Sequence, residues 1–324
     1  MSYVRTVLGD IDSRELGVTN IHDHLLIRAG VGVLRNSDFH LDSVEKACEE
    51  VELFKAGGGQ SIVDMMPMGT GRDAEGLVEV ARRTGVNVIA ASGFHQAEYY
   101  TGDHWIHRYS SQQLADLFVA DITLGMDRYD YTGPLVDRLN AKAGVLKVAT
   151  EHHLMLPVQH KLFEAVAEAH QRTGAPISTH TTLGTFALEQ VEKLCAYGVA
   201  PDAVIVGHVD RNLDLGYHKA IAQTGAYLDY DGPSRIKYYP DSKIIEVIGA
   251  MFESGYGAHV LLGNDLATRS SHRSYGGGPG LGYLLDVFVP RLQEAGMSQS
   301  DVEQILVENP SRALSLRKCD RGHA

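Results

Sequence analysis

The chain has little cysteine, one tryptophan and no long hydrophobic run. Its three cysteines, Cys48, Cys195 and Cys319, are odd in number and widely spaced, in helix-like or tail sequence. That excludes a disulfide framework and points to a reducing compartment, so a cytoplasmic location is expected. The N-terminal M-S-Y-V-R-T-V-L-G-D holds no apolar core of a signal peptide, and no stretch approaches the ~18 apolar residues of a membrane span. Positive charge is in deficit too: 29 Lys+Arg against 41 Asp+Glu give a net charge of −12. This disfavours nucleic acid or an anionic membrane as the main partner and leaves a small-molecule substrate. Low-complexity linkers and internal repeats of 20–50 residues are missing, which argues against a second domain or a solenoid.

What the chain does contain is a series of short apolar runs alternating with helix-like stretches. The runs are Val18–Leu25, Gln60–Pro67, Asn87–Phe94, Val145–Thr150, Pro176–Thr181, Ala203–Val209, Ala226–Asp231 and His259–Leu266. Between them lie segments of 3.6-residue apolar spacing such as Val158–Thr173, and glycines such as Gly85, Gly174 and Gly225 stand where helix C-caps are expected. Strands alternating with helices imply a parallel sheet, and eight such units in 324 residues imply an α/β fold, a (β/α)8 TIM barrel forming a single domain over residues 1–324. Ser298–Leu314 reads as a further helix packed on the outside. Two long segments, Gln96–Pro134 and Ala267–Gly280, are expected to lie over the catalytic face.

Six residues fall at or near the ends of these strands: His22 and His24 in I-H-D-H, Lys147 in V-L-K-V-A-T, His180 in S-T-H-T, His208 in V-G-H-V-D and Asp265 in G-N-D-L. Side chains at i and i+2 of a strand share a side, so His22 and His24 present two imidazoles to one ion. A parallel barrel brings the remaining strand ends to the same face. Imidazole nitrogens with a carboxylate suit zinc, with manganese or cobalt as alternatives. Four histidines and one aspartate exceed a tetrahedral site and point to two divalent ions about 3.5–4 Å apart. A protonated Lys147 between two dications is repelled, whereas carbon dioxide added to its neutral amine gives a carbamate that reaches both ions. The bland alternative is a lysine that reaches solvent or pairs with Glu151.

In this order and context the six residues resemble the phosphotriesterase family of the amidohydrolase superfamily. The similarity runs from T-V-L-G-D through K-V-A-T and the two histidine strands to E-N-P-S-R-A-L, nearly the whole chain. It implies that His22, His24 and Asp265 hold the more buried ion, that His180 and His208 hold the more exposed one, and that carboxylated Lys147 bridges them. A homodimer is implied as well. The chemistry expected of such a centre is attack by a metal-bridging hydroxide, with Asp265 accepting its proton and passing it towards the leaving group.

The loops D-G-P-S-R-I-K-Y-Y-P-D-S and S-Y-G-G-G-P-G look most like the sugar-lactone hydrolases of that family, a phosphofuranose lactonase-like branch in which the residue at Lys237 helps to grip a phosphate. That branch also has an Arg three residues and a Tyr six residues after the last metal-binding Asp; here those places hold Thr268 and Ser271. Either Arg269 or Arg273 takes over, or the substrate carries a carboxylate or hydroxyls instead. After the third strand, His95 stands where triesterases have Trp and quorum-signal lactonases have Tyr, which favours a hydroxylated substrate over a bulky apolar one. Tyr99, Tyr100, His104 and Arg211 are further pocket candidates. The function expected is a binuclear metal-dependent lactonase acting on a small hydroxylated or phosphorylated sugar lactone. The alternatives are an organophosphate triesterase, an amide hydrolase or a non-catalytic binding barrel. A phosphosugar isomerase or aldolase, suggested by G-G-G-P-G alone, has no need of four converging histidines.

Overall fold

The computed structural model describes residues 2–317, so Cys319 lies outside the described residues. A short antiparallel hairpin, β1 (Tyr3–Thr6) and β2 (Gly9–Asp12), leads into eight parallel strands: β3 (Thr19–Asp23), β4 (Ser61–Asp64), β5 (Asn87–Gly93), β6 (Val145–Ala149), β7 (Ile177–His180), β8 (Val204–Gly207), β9 (Tyr227–Tyr230) and β10 (Val260–Leu262). Neighbours in sequence are neighbours in the sheet, from β3 to β10. Past β10, the amides of Asn264 and Asp265 donate to the His22 carbonyl at 3.1 and 3.0 Å and draw the two edges together. Helices α1 (Val31–Arg35) and α2 (Val44–Ala56) follow β3, and α3 (Ala74–Thr84), α4 (Ser111–Thr123), α5 (Pro157–Thr173), α6 (Ala187–Ala196), α7 (Leu215–Thr224) and α8 (Asp241–Glu253) follow the next six strands. Helical turns over 284–294 complete the eighth unit. This is the (β/α)8 barrel expected from the alternation. Among the described residues no helix is long and apolar enough to cross a membrane. Cys48 on α2 and Cys195 on α6 are free thiols.

Strand alternation sorts the core into two layers. Ile21, Val63, Ile89, Val145, Ile205 and Leu261 meet in an inner cluster, while Ile62, Val88, Leu146, Val206 and Leu262 join the larger cluster beneath the helices. Val4 of β1 and Ala313 and Leu314, at the end of the last helix, belong to the inner cluster. They cover the barrel floor, where the carbonyl of Arg5 lies against Gly144 just before β6. The expected outer helix over Ser298–Leu314 is therefore corrected at its end. Ile305 and Leu306 pack in the outer layer, but Ala313 and Leu314 join Val4 and Leu16 in closing the barrel floor, where their apolar surface leaves water.

Regular pairing stops earlier than the sequence pattern suggests. His208 and Asp265 lie beyond their strands with φ of 62° and 48°, a left-handed backbone that costs a non-glycine residue about 1–3 kcal/mol and is found where side chains must be aimed. The segment Gln96–Pro134 begins at the cleft, which Gln96 and Tyr99 line, and then forms α4. Ser110 and Gln113 form a capping box at its start, and Leu114, Phe118 and Ile122 are buried at helical spacing.

One fully buried cation ties these elements together. The Arg72 guanidinium donates to Asp121 of α4 and to the Ala91 carbonyl of β5, both at 2.9 Å. Arg72→Met removes the fully buried counter-ion of Asp121, which keeps only Ser92, Tyr131 and the partly exposed Arg138, and should cost about 3 kcal/mol, read as a lower urea midpoint with an unchanged slope; a midpoint equal to wild type would show that the pair contributes nothing net.

Candidate active site

The six sequence-predicted residues line one cleft of about 330 Å³ at the C-terminal ends of the strands. His22 is 1% exposed and Lys147 1%. Lys147 projects inward from β6 as Val145 does, and its Nζ donates to the Met65 carbonyl at 3.0 Å. It does not pair with Glu151, whose oxygens accept from Gln96, Ala97 and Gln159. Gly93 makes room for it: a Cβ there would lie 2.0 Å from the Lys147 carbonyl. The imidazoles form a chain, with ring centroids 5.7 Å apart for His22 and His24, 4.9 Å for His22 and His208, and 4.4 Å for His180 and His208.

Carboxylates orient this cluster. His22 Nδ1 lies 3.0 Å from Asp229 and 3.2 Å from Asp231, and His208 Nδ1 lies 2.7 Å from Asp231. With Nδ1 engaged, His22 turns Nε2 towards Asp265 Oδ1 at 3.7 Å, and His24 Nε2 approaches the same oxygen at 3.4 Å. His22 Nε2, His24 Nδ1 and His180 Nδ1 are buried without a hydrogen-bond partner. Unpartnered imidazole nitrogens beside a buried carboxylate are the donor set a divalent ion takes, and His22, His24 and Asp265 bring one atom each within 4.8 Å of one another. The residues therefore fit divalent metal.

For His24, His180 and His208 the electrostatics agree with that use. Burial lowers His24 to about 4 and His208 to about 3, and holds His95 and His180 well below the usual histidine range, so these rings are neutral at pH 7. His22 is opposed by burial and by Lys147, yet its bonds to Asp229 and Asp231 lift it to about 9. Burial brings Lys147 down to about 8, against the pull of Asp265 and Asp231. Burial also pushes the Asp265 carboxyl up, but Arg235, the His24 bond and Arg211 outweigh it and hold the group well below the usual range.

Of the proposed substrate contacts, His95, Tyr99, Arg211 and Lys237 line the cleft. His95 packs on both Tyr99 and His180, with centroids at 4.4 and 4.7 Å. The others are corrected. Tyr100 is buried against Phe94 and bonds the Met68 carbonyl, and His104 packs on Phe94, Tyr100 and Trp105. Arg269 turns out to Asp42 at 2.8 Å and lies over Tyr275, where its charge is satisfied in partly exposed surroundings. Arg273 is exposed and also misses the cleft. Three residues were overlooked. Asp229 and Asp231 were open to detection, because D-Y-D repeats the i, i+2 logic of His22 and His24. Arg235, which joins Arg211 on Asp265 Oδ2, sits in an irregular turn where no periodicity marks it.

A model of the phosphotriesterase family matches residues 2–314. The chain is similar to a phospho-furanose lactonase from Mycoplasmopsis synoviae, 38% identical over 97% of this chain and 92% of that protein. Among solved structures it resembles an amidohydrolase from Mycoplasma synoviae, with a TM-score of 0.95 and 37% identity over 98% of this chain and 93% of the other. It also resembles a lactonase from Listeria monocytogenes, with a TM-score of 0.90 and 31% identity over 98% and 100%. A match over nearly the whole length, on a barrel whose strand ends carry the ligand set, places the chain in the phosphotriesterase family of metal-dependent hydrolases.

Proposed function

We propose that the protein is a lactonase that opens a small hydroxylated or phosphorylated sugar lactone. The observation that carries this reading is the setting of the ligand cluster: His22, His24, Lys147, His180, His208 and Asp265 share the cleft with Arg211, Arg235, Lys237 and His95, which stand among apolar side chains such as Ile27, Phe39 and Met66. Polar groups in a cleft must meet polar substrate atoms or lose their hydration uncompensated. The relatives named as lactonases support the same class.

His22, His24 and Asp265 would hold one ion and His180 and His208 the other, with a Lys147 carbamate shared between them and zinc, manganese or cobalt as the metal. When bound, two such ions supply a water acidic enough to ionise near neutral pH and positive charge opposite a carbonyl oxygen. The chain's own residues do the rest. Asp265, kept ionised and oriented by Arg211 and Arg235, accepts the proton of the attacking water and returns it to the ring oxygen as the C–O bond opens. His95 and Tyr99 bound the lactone ring from the β5 side.

Proton release from purified, metal-loaded enzyme, followed with a pH indicator across lactones, organophosphate triesters and N-acyl amides, tests this. A lactone should be the fastest substrate. A triester or amide turned over orders of magnitude faster than every lactone overturns the reading.

A further inference from the structure

We infer that Glu151 is a positioning residue: it holds the part of the cleft wall formed by His95 and Tyr99, and through that wall it sets the affinity for substrate. The inference rests on the proposed function only in placing the substrate between this wall and the metal ligands. Lys147 lies on β6 and Glu151 just beyond its end. One segment therefore carries both a residue of the ligand cluster and the residue that places the wall beside it.

Glu151 does not itself line the cleft. Both of its oxygens are taken by neutral N–H groups: Oε2 accepts from Gln96 Nε2 at 3.0 Å, and Oε1 accepts from Ala97 N and Gln159 Nε2, each at 3.1 Å. A carboxylate accepts at both oxygens and donates at neither, so it gathers three donors where an amide would turn its own hydrogens on one of them. Gln96 and Gln159 are 8% and 0% exposed, and their N–H groups have little water to fall back on. The Ala97 amide opens the short turn Ala97–Tyr99, where no partner within the turn is available to it. The Gln96 side chain does not cap that turn, and Glu151 does.

The tie reaches a third strand. Gln96 Nε2 also donates to Thr182 Oγ1 at 2.6 Å, and the Thr182 hydroxyl donates to the Thr150 carbonyl at 3.0 Å, so the segments leaving β5, β6 and β7 are cross-linked. The ends of the wall are fixed separately, because the Tyr100 hydroxyl accepts from His95 N at 2.9 Å and donates to the Met68 carbonyl at 3.1 Å. Its middle, Gln96 and Ala97, is what Glu151 holds. On the cleft side His95 packs between Tyr99 and His180. On the other side Tyr99 meets Gly32 of α1, where a Cβ would lie 3.2 Å from the ring. A shift of the turn therefore moves His95 and Tyr99 relative to His180.

Glu151→Gln tests this, because it keeps the shape and turns one acceptor oxygen into an NH2 group facing the donor of Gln96 or those of Ala97 and Gln159. With metal-loaded enzyme and a neutral five-membered sugar lactone, KM should rise about tenfold, the effect of a buried donor losing its acceptor. The wall binds ground state and transition state alike, so kcat should change less than about threefold and metal content should match wild type. Gln96→Glu sets two carboxylates against each other and should raise KM at least as much. Combining the two substitutions restores the bond with its polarity reversed: the amide at 151 donates to the carboxylate at 96, and its carbonyl oxygen keeps Ala97 N and Gln159. The double variant should recover most of the KM lost by either single change, a coupling of about tenfold, whereas general damage to the fold would add. An unchanged KM in Glu151→Gln, additive losses in the double variant, or loss of metal and kcat along with KM overturns the inference. If no lactone is turned over, the same variants are compared on whichever organophosphate triester or N-acyl amide is. Recovery there fails the lactonase reading alone, and additive losses there overturn the positioning role.

Discussion

Lys147→Ala should purify with its fold intact but with fewer than the about two divalent ions per chain expected of the wild type, and kcat should fall about 10³-fold or more. The side chain is 1% exposed among four histidines and Asp265, and its direct hydrogen bond is to the Met65 carbonyl. An ammonium in that position opposes both ions, whereas a carbamate supplies an anionic oxygen to each. Burial lowers the amine to about 8, so a neutral fraction able to take up carbon dioxide is present at physiological pH. Removing the side chain to Cβ leaves room for a small carboxylate. Acetate or propionate should therefore restore part of both the metal content and the rate, an outcome that general structural damage would not give. Retention of two ions and near wild-type turnover in the variant, or electron density for a plain amine between two loaded ions, would overturn the bridging role.

The barrel was legible because its strands obey a short, local rule. Alternation puts Val145 and Lys147 on one side and Leu146 and Val148 on the other, and the same rule applied to His22 and His24 locates the metal face. It would equally have located Asp229 and Asp231, whose carboxylates orient His22 and His208. The rule ends where regular pairing ends. Arg235, Arg269 and Arg273 lie in turns whose side-chain directions are set by partners distant in sequence, as Asp42 does for Arg269 and Asp265 for Arg235. Composition places such arginines on the right loop and does not say which way they face. The last helix shows the same division: its apolar spacing marks a helix, but the packing of Ala313 and Leu314 against the barrel floor depends on strands far back in the chain.

Asp265→Asn separates charge from shape at the reacting centre. The side chain has Oδ1 turned to His22 and His24, at 3.7 and 3.4 Å, and Oδ2 held by Arg211 and Arg235. One carboxylate thus faces the metal ligands with one oxygen and is fixed by two guanidiniums through the other. Asparagine keeps the volume and an acceptor but cannot take a proton from water at neutral pH, so kcat should fall about 10²–10⁴-fold, the usual range for a positioned acid–base group. The fold should persist, because Arg235 is 18% exposed at its side chain and reaches water when its counter-ion is removed. Metal content must be measured on the same preparation. Full metal with the rate lost assigns proton transfer to Asp265, loss of an ion together with the rate assigns it to ligation, and wild-type turnover at full metal removes it from the mechanism. Arg235→Met supplies the complementary arm. If the guanidinium acts by orienting Asp265, this variant should lower kcat with metal content unchanged, while an effect confined to KM would place Arg235 on the substrate instead.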